Sequence, residues 1–158
     1  MTEKQTKRPA TDALDELTEE IQADQDQQIR ETYGDRVWQR WRHPARMGEM
    51  ADAHGHGRAT GSCGDTLQVF LRFQDGVVQD ASFLTDGCGS SQVCGSMVAE
   101  MALGKTPQAL KALDGRDVLE ALGGLPDDDS HCAFLAVNAL HEALSAHLKN
   151  LDASGEAS

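Results

Sequence analysis

The sequence is short of aromatic residues, with four Phe, two Trp and one Tyr in 158 positions. A core with so few rings has to be filled by Leu, Val, Ala and Met. The length suffices for one domain with a real core and a tail. Long apolar runs are missing too, and no stretch approaches the roughly 20 residues that a membrane helix needs. The first residues, MTEKQTKRPATDALDELTEE, hold no apolar signal core, so the expected location is the cytoplasm. Basic residues are scarce as well: 14 Lys and Arg stand against 26 Asp and Glu, a net charge of −12. A surface of that sign argues against nucleic acid as the main partner, because a phosphate backbone is held by Lys and Arg. The acidity is concentrated at the start, where residues 1–35 hold ten acids and four bases. The local exception is RVWQRWRHPAR. Its four arginines read as the solvated face of a helix around Val37, Trp38 and Trp41 rather than as a docking patch.

What is present is a change of period along the chain. Residues 1–12 are polar and read as disordered. Leu14, Leu17 and Ile21 follow helical spacing, but QADQDQQ offers little to bury, so only a marginal helix is expected. Ile29, Tyr33 and Val37 continue at four-residue steps to Trp41, and Pro44 ends that helix. HGHGRATGSCG reads as a glycine-rich connection into the first strand. Leu67, Val69, Leu71 and Phe73 alternate as in a half-buried strand, Asp75-Gly76 supplies a hairpin turn, and Val77, Ala81 and Phe83 return. After Cys88 the pattern turns helical. Val93, Met97 and Met101 share a face that Gly104 closes, and Thr106-Pro107 and DGRDVLEALGG open short helices. The last helix carries Cys132, Leu135, Ala136, Ala139, Leu140, Ala143 and Leu144 at core spacing. Strands first and helices after predict an α+β domain, a small three-stranded antiparallel sheet packed against several helices. The expected organisation is an acidic extension over 1–30, partly disordered or marginally helical, a domain over 31–151 and a flexible tail over 152–158.

Four cysteines in a chain expected in the cytoplasm favour metal or redox chemistry over disulfides. Cys63 precedes Gly64-Asp65, Cys88 lies between glycines, and Cys132 follows His131. Cys88 and Cys132 each precede or open a helix, where unpaired N–H groups and the dipole stabilise a thiolate. Cys63 and Asp65 are two apart in what reads as extended chain, which points both side chains the same way. His131 adds an imidazole. Three sulfurs, one nitrogen and one oxygen suit tetrahedral zinc, or an iron–sulfur cluster with a non-cysteine ligand. Cys94 does a different job. Six helical residues beyond Cys88 advance about 9 Å and turn about 240°, so the two thiols do not share one small site. Cys94 is in register with Val98 and Met101 and reads as core. His54 and His56 read as parts of a glycine-rich loop rather than ligands, His141 and His147 as surface or helix-end positions, and His43 as a helix end.

With SCGD, DGCGSS and HC in that order, the chain resembles the NifU/IscU family of iron–sulfur cluster assembly scaffolds. HPARMGEM, the hairpin strands, the helix ending in GKT, and GGLP before HC extend the likeness from about Tyr33 to Leu148. The resemblance implies a scaffold rather than an enzyme. Cys63, Cys88 and Cys132 would hold a transient [2Fe–2S] cluster, with Asp65 and His131 as the non-thiolate residues that help bind iron or zinc or tune release. Sulfur would come from a cysteine desulfurase, and the cluster would pass to apo iron–sulfur acceptor proteins. The protein would act as a monomer or a cluster-bridged dimer. The alternative is a zinc-dependent sulfurtransferase of the SufU kind, accepting persulfide sulfur. Two departures stand out. LPDDDSHC is acidic where the family segment gripped by an Hsp70-type chaperone is basic, which argues against chaperone use. Cys94 replaces a small residue.

Overall fold

A computed structural model describes residues 10–62, 64–87, 89–126 and 129–157. Helix α1 covers Ala10–Tyr33 and α2 covers Asp35–Arg42; strands β1, β2 and β3 cover Gly55–Thr60, Thr66–Gln74 and Val77–Thr85. Helices α3 (Gly89–Ala102), α4 (Pro107–Ala112), α5 (Gly115–Leu122) and α6 (His131–Ala157) follow. The sheet is an antiparallel meander in the order β1-β2-β3, and the expected α+β class holds.

The β2–β3 hairpin forms where the sequence placed it. Asp75 and Gly76 have φ of +56° and +82°, and Gln74 pairs with Val77, so the two-residue loop twists with its strands. Strand β1 differs from expectation, because the stretch read as a connection is a strand. Its glycines face inward and its polar residues outward. A Cβ on Gly57 would stand 2.1 Å from Ala143 N and 2.3 Å from Ala139 O, and one on Gly55 would stand 2.2 Å from Ala143 O. The α6 backbone thus lies directly on β1, along a seam of small residues that a bulkier strand would push apart.

Leu67, Val69, Leu71, Ala81 and Phe83 of the sheet form one core with Val93, Cys94 and Val98 of α3 and with Ala136, Ala139, Leu140 and Leu144 of α6. Cys94 is fully buried there. Most of α3 is inaccessible, and Gly95 admits the Phe83 ring, which would lie 2.4 Å from a Cβ. The last two helices before α6 start as their sequences indicate. Thr106 Oγ1 accepts from Ala109 N, and Asp114 with Asp117 forms a capping box.

At the N-terminal end, α1 is one 24-residue helix that runs through QADQDQQ. Gly34, at φ +93°, then separates it from α2, so the four-residue steps from Ile29 to Trp41 do not belong to a single helix. Arg30 lies 4.3 Å over the Trp38 ring and Arg42 pairs with Asp26. The arginine-rich stretch is engaged within the chain: Arg40 donates to Ser96 Oγ at 3.0 Å and pairs with Glu100, and Arg46 pairs with Asp80 at 2.8 Å. Residues 46–48 run along β3, with Phe83 N donating to Arg46 O and Gly48 N to Phe83 O. At the other end, α6 continues to Ala157, into the segment expected as a tail. Among the described residues no helix is long and apolar enough to cross a membrane.

Candidate metal centre

Three connections meet at one end of the sheet. The first is the β1–β2 turn over Gly61–Asp65. Gly61 N donates to Asp65 O at 2.9 Å, Gly64 N donates to Gly61 O at 3.0 Å, and Gly64 has φ +91°. The backbone turns at Gly64 instead of running extended.

The second connection leaves β3. Thr85 Oγ1 donates to Thr66 O at 2.8 Å, Thr66 N donates to Asp86 Oδ1 at 2.8 Å, and Gly87 N donates to Thr85 Oγ1 at 3.0 Å. These bonds tie the strand end to the residue beside Asp65. They also explain the glycines around position 88. A Cβ on Gly87 would stand 2.7 Å from Asp65 Cγ and Oδ2, and one on Gly89 would stand 2.2 Å from the Trp41 ring. A larger residue at position 89 would collide with the Trp41 ring, and one at position 87 would displace the Asp65 carboxylate.

The third connection enters α6, where Cys132 N donates to Asp129 O at 3.1 Å and Ala133 N to Ser130 O at 3.1 Å. Cys132 is the second residue of the helix and fully buried, whereas His131 is exposed, with Nε2 3.7 Å from Cys132 Sγ.

The three meet at Ser91. Its hydroxyl donates to Asp65 Oδ2 at 3.1 Å and lies 3.5 Å from Cys132 Sγ. Of the candidate ligands, the structure therefore gathers Asp65, Cys132 and His131. Cys63 and Cys88 lie outside the described residues, as do Asp127 and Asp128 of the acidic run. Among the described residues no three His, Cys, Asp or Glu side chains close a metal site by themselves. What they offer is one hard oxygen, one soft sulfur and one imidazole, a set suited to zinc or iron once further thiolates join. Ser91 went unnoticed in the sequence. Its only signal was a second hydroxyl after the Gly-Cys-Gly segment, at the start of a helix that is mostly buried.

The remaining histidines belong elsewhere. His56 stacks on Phe70 at 4.4 Å and lies 2.7 Å from Gln68 Oε1 on the strand surface. His54 Nδ1 accepts from Phe73 N at 2.9 Å. His141 Nε2 is 3.0 Å from Leu110 O. His147, expected at the surface, is 7% exposed and stacked 3.9 Å from the Phe73 ring. Together with His54 and Asn150 it lines a cavity of about 690 Å³ beside the Asp75-Gly76 turn, at the opposite end of β2 from Asp65.

Known proteins share this architecture. The solved structure of a candidate iron–sulfur cluster assembly scaffold protein for a SUF system, from Fervidobacterium islandicum, superposes with a TM-score of 0.56 at 20% identity, over 73% of this chain and 98% of that one. In sequence, the iron–sulfur cluster assembly scaffold protein IscU 1 of Archaeoglobus fulgidus is 36% identical over 113 residues, covering 71% of this chain and 74% of the relative. The IscU scaffold protein of Aquifex aeolicus is 34% identical over 129 residues, covering 80% and 82%. That of Escherichia coli K12 is 29% identical over 127 residues, covering 77% and 98%. The family model for the NifU-like N terminal domain matches residues 32–153, and the chain belongs to that family.

Proposed function

We propose that this protein is an iron–sulfur cluster assembly scaffold, which binds iron and a transient [2Fe–2S] cluster as cargo and passes it to apo-proteins. The carrying observation is the meeting of Asp65 and Cys132 at Ser91, from segments far apart in sequence. The names of its relatives agree with that reading. Cys63, Cys88 and Cys132 supply the thiolates, Asp65 the oxygen ligand, and His131 an imidazole beside Cys132 at the exposed rim. A carboxylate is the hard member of a soft donor set and holds iron less firmly than thiolate does. An acceptor's cysteine can displace it first, and the rim gives that cysteine access. Zinc occupies the same donors when iron and sulfide are absent. A cysteine desulfurase is the sulfur donor, and the protein binds and transfers rather than turning over a substrate.

Anaerobic reconstitution with iron, cysteine and a desulfurase, read by visible absorption and circular dichroism, tests this. Wild type and Cys94→Ser develop cluster bands, because Cys94 lies in the core, whereas Cys63→Ser, Cys88→Ser and Cys132→Ser do not. A Cys94→Ser spectrum that collapses like the other three, or a wild type without bands that still relays persulfide sulfur when loaded with zinc, would refute the proposal. The second outcome would favour the sulfurtransferase.

A further inference from the structure

Among the described residues, nothing hydrogen-bonds the ring nitrogens of His147, which is only 7% exposed and stacks on Phe73 at 3.9 Å. The nearby His54 and Asn150 are bonded to each other and to the strand: Phe73 N donates to His54 Nδ1 at 2.9 Å, and Asn150 Nδ2 donates to His54 O at 3.0 Å. The polar atoms sealed inside the described fold without a partner are Trp38 Nε1, Arg72 Nε and Ser82 Oγ. The imidazole nitrogens are not among them. They reach open space, and the open space against His147 is the cavity of about 690 Å³ beside the Asp75-Gly76 turn. Burial disfavours the charged ring, so at neutral pH it presents one donor and one acceptor. A buried polar group without a partner is costly, and the cavity is where a partner can stand.

The volume falls within the range of small-molecule sites, about 300–1,000 Å³. Phe73, Pro107 and Leu151 supply apolar walls; Asp75 is the charged side chain of the lining, and among the described residues no Lys or Arg joins it. A carboxylate with no cation beside it disfavours anions, so phosphates and carboxylates do not suit these walls. We propose that this cavity is a second binding site, for an uncharged small aromatic molecule that carries a hydroxyl group. Its ring lies against Phe73, Pro107 and Leu151, and its hydroxyl bonds to His147. The hydroxyl carries the selectivity. A site built to hydrogen-bond an O–H rejects the analogue that lacks it, because the buried group of the protein is then left unpaired. The cavity lies at the opposite end of β2 from Asp65, and nothing in this assignment depends on the metal centre.

The probes are para-cresol, toluene, para-toluate and benzylamine, titrated at neutral pH into the isotope-labelled full chain and followed by amide chemical shifts. Para-cresol shifts the amides of Gly76 and Leu151 saturably and binds about tenfold tighter than toluene, the worth of one well-made hydrogen bond. Para-toluate does not bind. His147→Phe keeps a ring against Phe73 and brings para-cresol down to the affinity of toluene. Leu151→Trp, at a position exposed enough to take a larger side chain, fills the cavity and removes binding of both while leaving His147 in place. Thermal unfolding verifies that each variant folds. Equal binding of para-cresol and toluene, no binding of either, uptake of para-toluate, or a preference that survives in His147→Phe overturns the proposal, as does wild-type binding by Leu151→Trp. Preference for benzylamine would assign the cavity to a cation held by Asp75 and overturn it too. N-acetyltyrosinamide carries the same phenol on a peptide unit. Tighter binding of it than of para-cresol would make the occupant a segment of another protein and end the small-molecule assignment.

Discussion

His147 shows how one residue ties packing to pH. Its ring lies between Phe73, at 3.9 Å, and His54, at 6.1 Å, and its burial is almost complete. Burial, and secondarily the charge of His54, holds its pKa below the ordinary 6.5. Asp75 lines the same cavity, but burial and the neighbouring His54 both disfavour the imidazolium. In the unfolded chain the imidazole titrates near 6.5, so below that pH the unfolded state binds more protons than the folded one. The contribution of His147 to stability is thus complete above about pH 6.5 and is lost progressively on acidification. Denaturant midpoints measured from neutral to mildly acidic pH fall in wild type. They fall less in His147→Phe, which keeps a ring against Phe73 and has nothing to protonate. Parallel curves for the two proteins would show that His147 is not the group responsible.

Among the elements, α1 is the one with least to hold it. Leu14, Leu17 and Ile21 are 62%, 53% and 50% exposed, so the helix buries little apolar surface on the described domain. Its ties to α2 are the Asp26–Arg42 pair, the Arg30–Asp35 pair at 3.2 Å and the Arg30–Trp38 contact. Exposed pairs of this kind contribute about 0–1 kcal/mol each. An isolated polar helix has no other support, because most helical stability in proteins comes from packing an apolar face. Amides of residues 13–28 are therefore expected to exchange with solvent much faster than those of α3. Deleting residues 1–30, which lie outside the family match, is expected to leave metal uptake intact and lower the melting temperature by only a few degrees. Protection in α1 equal to that of α3 would show a packing partner that the exposed leucines do not indicate.

At the scale of the whole molecule, core and metal centre are separate. The buried cluster runs from Val37 through the sheet and α3 to Leu144, and among the described candidate ligands it includes Cys132 but neither Asp65 nor His131. Small zinc fingers depend on metal for folding because they have almost no such core. This domain has one, so stripping metal with a chelator is expected to leave far-ultraviolet circular dichroism and cooperative unfolding unchanged in character. Added zinc raises the melting temperature only as far as ligand linkage requires, in proportion to the logarithm of free zinc over its Kd. Loss of cooperative unfolding in the metal-free protein would make the centre a structural element of the fold rather than a place for cargo.

The local chemistry of the chain was enough for β2, β3 and their Asp-Gly turn, for the caps at Thr106 and Asp114, and for Cys94 in the core. In each case the residue's own backbone preference and the period of its neighbours agree with the final fold. The three cysteine segments were also legible, as motifs. What the sequence could not show is where contacts come from far along the chain. Strand β1 has poor strand-forming residues, and its glycines make sense only once Ala139 and Ala143 of α6 lie against them. His147 is inside because that same face of α6 meets Phe73. The turn at Gly64 replaces extended chain because β1 has to pair back with β2. Ser91 gained its place from partners 26 and 41 residues away. Periodicity tells a residue which side of its own element it is on, and only packing decides what is waiting there.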